Sequence, residues 1–166
     1  MIMNLGEDFL MISNNLESTT VENEFCLEVY FTKRNLSKFF SKILREFNLT
    51  FPQYVSLLIL WQEEKPIRMN EMIERLQLDY GTTSPLFKRM EKNQWILRRY
   101  SQSDKRKVYL ELTAKGKEME RIINARVKEY LNTTNRTKNE YAEELQSIHQ
   151  INQKFTDVNN YLEDLF

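Results

Sequence analysis

Glycine and proline are scarce along this chain, and that scarcity most constrains its fold. Each occurs only three times in 166 residues. A fold made only of β-strands needs many tight turns, which are rich in these two residues. Long segments instead carry apolar residues at steps of three and four, the spacing of an amphipathic helix. The chain is therefore predicted to be mainly α-helical.

Charge is distributed unevenly, although the formal net charge is zero. Residues 1–25 hold five acidic residues and no basic ones, and residues 140–166 hold six acidic residues and one basic one. Residues 84–107 hold eight basic and two acidic residues, a local net charge of +6. Clustered cations on one surface are typical of a protein that binds a polyanion. A solvated helix face is the alternative explanation.

Helical periodicity begins early in the chain. Apolar residues recur at three- and four-residue steps over residues 21–47. Thr50 and Gln53 have the spacing of a capping box, and Pro52 suits the first turn of a helix. Residues 54–61 are apolar on nearly every side, which predicts a central, buried helix.

The rest of the chain predicts two helices, a β-hairpin and two more helices. In chain order these elements cover about 68–76, 79–93, 95–100 paired with 107–112, 113–132, and a last helix that carries Tyr141. Pro85 leaves two helix starts open. The helix can begin at Ser84 with Pro85 in its first turn, or at Asp79 with Pro85 bending an early turn.

An apolar stripe runs along the last helix. Its members repeat at about 3.5 residues, the spacing of a helix that packs along a partner helix. They are Tyr141, Leu145, Ile148, Ile151, Phe155, Val158, Leu162 and Leu165.

The central segment has the order of a helix-turn-helix followed by a β-hairpin wing. In such a module the second helix enters the major groove and the wing reaches the neighbouring minor groove. Asp104 is expected to hold Arg98 or Arg106 in place through a charge-assisted hydrogen bond. The predicted DNA-binding residues are Tyr80, Thr82, Thr83, Ser84, Lys88, Arg89, Arg98, Arg99, Asp104, Lys105, Arg106 and Lys107.

Several other classes of protein are disfavoured. The sequence contains no run of about 18 apolar residues, the length needed to span a membrane. The single cysteine cannot form an internal disulfide, so a cytoplasmic location is expected. Glycine-rich phosphate loops, metal-ligand spacings and nucleophile–base arrangements are missing from the pattern. We therefore expect neither an enzyme nor a bound cofactor or metal.

Four stretches of the chain also resemble the MarR family of bacterial regulators: Thr50–Tyr54, Asp79–Glu91, Ser103–Arg106 and Leu112–Gly116. The resemblance covers roughly residues 22–130. It implies a winged helix-turn-helix, a homodimer whose first and last helices interlock, and a palindromic operator in double-stranded DNA. It also favours a recognition-helix start near Asp79.

The domain organisation predicted on this basis has four segments. Residues 1–20 form an N-terminal extension and residues 21–48 an N-terminal dimerisation helix. Residues 49–112 form the winged helix-turn-helix, and residues 113–166 form the C-terminal dimerisation helices.

Within that family, Phe25 to Tyr30 resembles the one-cysteine, peroxide-sensing branch. The resemblance implies that Cys26 is oxidised, that Tyr30 hydrogen-bonds it, and that an organic hydroperoxide or a low-molecular-weight thiol acts on it. A second tyrosine of that branch corresponds to Phe40 here. The residues alone also allow Cys26 to be a small buried side chain, because the glutamates at 22, 24 and 28 disfavour a thiolate.

Two further functions stay open at this level. One is a regulator of the same family that responds to a small phenolic ligand. The other is a helical protein-interaction module, in which the acidic ends bind partners and the wing is incidental.

Overall fold

A computed structural model describes residues 21–63 and 65–163. Its elements are α1 (Val21–Leu44), a 3-10 turn (Arg45–Phe47), α2 (Phe51–Gln62), β1 (Ile67–Arg68), α3 (Met69–Leu76), α4 (Tyr80–Lys92), β2 (Ile96–Tyr100), β3 (Val108–Leu112), α5 (Ala114–Asn132) and α6 (Lys138–Glu163). The mainly helical fold with a small β-hairpin is confirmed. The N-terminal extension predicted for residues 1–20 lies outside the described residues.

The chain divides into two compact units, one up to Ile123 and the other from Asn124. The first unit holds a core of fully buried side chains from its helices and its sheet: Leu44, Leu57, Met72, Phe87, Met90, Trp95, Ile96 and Leu110. The boundary between the two units lies inside α5, whereas the predicted segments end at residues 48 and 112. The four-segment organisation therefore stays a prediction.

Helix α2 begins as its sequence predicts. The Thr50 N–H donates to Gln53 Oε1 at 2.9 Å, the reciprocal contact of a capping box. Pro52 lies in the first turn, where a missing N–H leaves no helical hydrogen bond unmade. The Trp61 Nε1–H donates to the carbonyl oxygen of Gly116 at 2.8 Å. This contact ties the end of α2 to the start of α5.

A three-stranded antiparallel sheet has the order β1-β3-β2. Arg98 in β2 lies opposite Leu110 in β3, and Ile67 in β1 lies opposite the same leucine. Strand β1 was not predicted, because two residues are too short to show an alternating pattern. Its presence places the hairpin against the segment between α2 and α3.

Helix α4 begins at Tyr80, with Asp79 as its N-cap. The structure thus selects the earlier of the two predicted starts and leaves Pro85 inside the helix. Proline at this position removes one backbone hydrogen bond. The cap of Asp79 and the buried side chains of Leu86, Phe87 and Met90 hold the helix in place.

The second unit contains α6, which has no buried residue. The predicted apolar stripe is exposed along its described length, with 40% to 58% of each residue accessible: Tyr141, Leu145, Ile148, Ile151, Phe155, Val158 and Leu162. Leu165, the last predicted member, lies outside the described residues. No helix in the described part of the chain has the length and apolar character needed to cross a membrane.

Candidate nucleic-acid interface

The start of α4 presents its polar groups around a single carboxylate. The Thr82 N–H donates to Asp79 Oδ1 at 2.8 Å, and the Thr82 hydroxyl donates to Asp79 Oδ2 at 2.7 Å. The hydrogen bond from the Thr82 side chain, followed by that from its backbone, holds the pKa of Asp79 below its usual value. Thr82 is exposed, but its hydroxyl proton is already engaged.

Two other predicted residues of this helix differ in exposure. Tyr80 is 63% exposed at the first helical position, where its phenol can donate to a phosphate or a base edge. Thr83 is fully buried, and its hydroxyl donates to the carbonyl oxygens of Asp79 and Tyr80. The predicted DNA contact of Thr83 is therefore wrong for this conformation, because the side chain stabilises the first turn from inside. Ser84 is half-buried.

Further along α4, the basic side chains face away from the core. Lys88 and Arg89 are exposed between the buried Phe87 and Met90, as a helix with a core face requires. Within residues 21–63 and 65–163, neither cation pairs with a carboxylate. Their charge is therefore available for phosphate oxygens, to which arginine and lysine commonly donate.

The tip of the wing is a tight turn built around Asp104. Its carboxylate Oδ1 accepts from the backbone N–H of Arg106 at 3.0 Å, and its carbonyl oxygen accepts from the Lys107 N–H at 2.9 Å. Asp104 Oδ2 also lies 4.0 Å from Lys107 Nζ. Lys105, Arg106 and Lys107 are exposed there. Asp104 thus shapes the backbone that presents these three cations.

Of the two partners predicted for Asp104, Arg106 is confirmed, because its backbone N–H donates to the Asp104 carboxylate, and Arg98 is not. Arg98 pairs with Glu91, with Nε and Oε2 2.7 Å apart. Arg99 pairs with Glu111, with Nε and Oε2 2.6 Å apart. Both arginines of β2 were predicted to bind DNA, and both have an internal counter-ion in the structure.

Three acidic residues of this region have roles that were not predicted: Asp79 as a helix cap, Glu91 and Glu111. The cap had a usable signal, since aspartate before a helix and threonine three residues later is a common N-terminal pattern. The two glutamates had none, because their arginine partners are 7 and 12 residues away along the chain. Only the packing of α4 and β3 against β2 brings them together.

Cys26 and Tyr30 lie one turn apart on α1. Cys26 is a free, exposed cysteine, and Tyr30 is 58% exposed. A four-residue step places both on one face of the helix. The described chain therefore leaves Cys26 accessible, which is contrary to the alternative in which it is a buried apolar residue. Phe40, at the position of the family's second tyrosine, stacks on Phe51 with ring centroids 4.2 Å apart.

The sequence of this winged helix matches a known family model. Residues 38–123 match the model of the SarA/Rot transcriptional regulators. The chain belongs to the SarA/Rot family of transcriptional regulators. The matched residues end at Ile123, where the first compact unit also ends. The similarity to this family therefore lies in the first unit, which contains α2, α3, α4 and the wing.

Two relatives add detail to the family assignment. The chain is 37% identical to the organic hydroperoxide resistance transcriptional regulator of Bacillus subtilis (strain 168), over 63% of this chain and 71% of the relative. It is 38% identical to the HTH-type transcriptional regulator MgrA of Staphylococcus aureus, over 58% of this chain and 65% of the relative. The match to MgrA thus spans just under two thirds of that protein's length.

Solved structures of similar fold include one that is bound to DNA. Reduced AbfR bound to DNA superimposes with a TM-score of 0.73 at 28% identity, over 83% of this chain and 94% of that one. A disulfide-formed AbfR structure superimposes with a TM-score of 0.58 at 25% identity, over 90% and 98% of the two chains. A MarR crystal structure shares the fold at 21% identity, with a TM-score of 0.67 over 80% and 98%. The winged-helix fold of the MarR regulators is thereby shown.

Proposed function

We propose that this SarA/Rot-family chain is a sequence-specific DNA-binding regulator that acts as a cytoplasmic homodimer on a palindromic operator. The observation that carries the proposal is the placement of cations on both DNA-reading elements of one winged helix, where no carboxylate of the described residues pairs with them. Lys88 and Arg89 lie on α4, and Lys105 and Arg106 lie at the wing tip. The DNA complex of AbfR, which has the same fold, supports it. Nothing in this arrangement calls for an enzymatic activity.

A homodimer supplies the second winged helix that a palindrome requires. The stripe on α6 is an exposed apolar surface, and a second copy of α6 offers a complementary one. Exposed apolar patches of this extent commonly mark interfaces. Repression then follows from occupancy of the operator.

Release of DNA by oxidation is the form of regulation that Cys26 supports. Its thiolate attacks one oxygen of an organic hydroperoxide, so that a sulfenic acid forms and the alkoxide leaves as an alcohol after taking a proton. A low-molecular-weight thiol then condenses with the sulfenic acid, forming a mixed disulfide and water. The B. subtilis relative is named for organic hydroperoxide resistance, which supports this class of oxidant.

A cavity in the second unit favours a second form of regulation. It has a volume of about 440 Å³ and is lined by the apolar side chains of Val127 and Leu131 and by the cations Lys128 and Arg136, of which Arg136 pairs with Glu144 at 3.0 Å. Such a lining suits a small phenolic or aromatic carboxylate. Under this alternative, a phenolic carboxylate would release DNA from the Cys26→Ser variant as well as from the wild type.

Footprinting on the DNA upstream of its own gene tests the proposed function. We expect a symmetric protected site that disappears after treatment with cumene hydroperoxide, and a Cys26→Ser variant that protects the site before and after treatment. A wild-type footprint that withstands the oxidant would remove Cys26 sensing and leave DNA binding intact. Absence of any footprint, with salt-insensitive retention on heparin, would favour the protein-interaction module.

The wing is tested separately by Arg106→Ala, with Arg121→Ala as a control. Arg121 is an exposed arginine of the same unit on α5, far along the chain from the wing. Loss of the Arg106 cation should weaken operator binding by at least about 5-fold and reduce the salt dependence by about one phosphate contact. Equal affinities for the two variants would exclude a wing contact by this residue.

A further inference from the structure

Glu91 joins the recognition helix to the wing through both of its carboxylate oxygens. Oε2 accepts from Arg98 Nε at 2.7 Å, and Oε1 accepts from the backbone N–H of Arg98 at 3.3 Å. Glu91 lies in the last turn of α4, and Arg98 lies at the centre of β2. One side chain thus holds both the main chain and the guanidinium of the same wing residue. We refer to these two contacts as the Glu91–Arg98 clasp.

The clasp lies at the open side of the sheet. Among the residues that the structure describes, strand β2 pairs with β3 alone, so its other edge has no strand partner there. Glu91 supplies an acceptor for an N–H on that edge, at the residue opposite Leu110. Satisfying an edge amide with a side chain from a helix also blocks pairing with a foreign strand. The contact therefore links the hairpin to α4 at an edge of β2 where no neighbouring strand of the described chain provides a backbone hydrogen bond.

The second ion pair of the hairpin provides a contrast. Arg99 and Glu111 face each other across β2 and β3, so their pair stays within the hairpin. The Arg99 side chain is 64% exposed, whereas the Arg98 side chain is 18% exposed. Exposed pairs of this kind contribute little to stability, and partly buried, doubly hydrogen-bonded pairs contribute more. Of these two ion pairs, it is the Glu91–Arg98 pair that connects the wing to α4.

We propose that Glu91 is a positioning residue for DNA recognition and does not itself contact DNA. This inference rests on the proposed function. The cations of α4 and of the wing tip must reach two grooves of one duplex together, and a displacement of about 1 Å between two contact sets weakens both. The clasp restrains the angle between hairpin and helix, so that binding by one element places the other.

If Glu91 acts by positioning, removing its charge should change operator affinity in the direction opposite to the one expected from charge alone. Glu91 adds a negative charge beside the basic surface, so removing that charge should strengthen binding if charge alone mattered. Loss of positioning should instead weaken binding to the operator, while binding to unrelated DNA, which depends on phosphate contacts, is unchanged or tighter. Glu91→Gln therefore separates the two explanations.

The test measures wild type, Glu91→Gln and Glu111→Gln on the footprinted operator and on an unrelated duplex of equal length. We expect Glu91→Gln to lose about 5- to 10-fold in operator affinity and nothing on the unrelated duplex. Glu111→Gln removes the same charge from the hairpin without touching the clasp, and should bind both duplexes as tightly as wild type or more tightly. Operator binding by Glu91→Gln that equals that of Glu111→Gln would overturn the proposal.

A measurement on the free protein keeps the clasp separate from DNA binding. Amide hydrogen exchange, followed by NMR, should be at least about 10-fold faster for Arg98 in Glu91→Ala than in wild type, while Leu110 in β3 stays protected. An unchanged Arg98 rate would show that the clasp is not formed in solution. If wild type bound no DNA but the exchange result held, the proposed function would fail and the clasp would remain as a structural contact only.

Discussion

The two compact units of this chain bury their apolar residues in different ways. The first encloses Leu57, Phe87 and Met90 within its own helices and sheet. In the second, α6 runs from Lys138 to Glu163 without one buried side chain. Both segments follow helical periodicity, so the difference lies in what the apolar face meets. A face enclosed within its own unit stabilises that unit, whereas an exposed apolar face is available for an interface.

The sharpest test of this contrast is a truncation in the core of the first unit. Phe87 is fully buried on the inner face of α4. Phe87→Ala should lower the free energy of unfolding by about 3–5 kcal/mol, because a cavity replaces the ring. Denaturant unfolding measures this change. A loss below about 1 kcal/mol would mean that the core is not packed as described.

A smaller effect is expected where α5 meets the end of α4. A methyl group on Gly116 would overlap the carbonyl oxygen of Trp95, which is backbone and cannot rotate away. Gly116→Ala should therefore reduce the free energy of unfolding by about 1–3 kcal/mol, although alanine favours helices. Lys117→Ala, at the next and exposed position, is the control and should change stability little. A stabilised Gly116→Ala variant would contradict this packing.

Substitutions in the apolar stripe of the second unit should weaken dimer association and not the folding of the single chain. Ile148 is 57% exposed in the single chain. If a second copy covers it, Ile148→Ala should weaken the dimer by about 1–2 kcal/mol, close to a 10-fold rise in the dissociation constant. Sedimentation equilibrium measures that constant. Gln150→Ala, off the stripe on the same helix, is the control, and equal constants for the two variants would place the interface elsewhere.

The smallest expected effect compares one capping carboxylate from each unit. Hydrogen bonds from the Thr82 side chain and backbone lower the pKa of Asp79, and hydrogen bonds from the Thr137 backbone and side chain lower that of Glu140. A carboxyl with a lowered folded pKa stabilises the fold above its unfolded pKa, and this contribution disappears as pH falls through the folded value. Each carboxylate should therefore stabilise its helix at neutral pH and contribute nothing in strong acid.

Thermal unfolding from pH 7 to pH 2 measures this dependence. Asp79→Ala should melt a few degrees below wild type at pH 7, and the gap should close as pH falls from about 5. Glu140→Ala should show the same trend in the helicity of α6. A gap that is constant over the whole range would mean that the lost cap acts without its charge.

Much of the fold could be predicted because its signals are local. The capping box of Thr50 and Gln53, the hairpin of β2 and β3, and the stripe on α6 each depend on neighbours a few positions apart. The basic side chains of α4 could be placed outside for the same reason, since Leu86 and Met90 define the inner face. Strand β1 could not be predicted, because its two residues become a strand only by pairing with β3.

By itself, the sequence determined the order of the helices and of the two hairpin strands, the capped start of α2, and the concentration of positive charge in the wing and the helix before it. Local periodicity and capping chemistry act within a few residues, and so they can be read directly. The tertiary structure decided which polar groups stay free to bind: Thr83 is buried, Arg98 is held by Glu91 and Arg99 by Glu111, whereas Arg106 is exposed. Those outcomes depend on contacts between segments distant in sequence, because burial and ion pairing are set by packing in three dimensions.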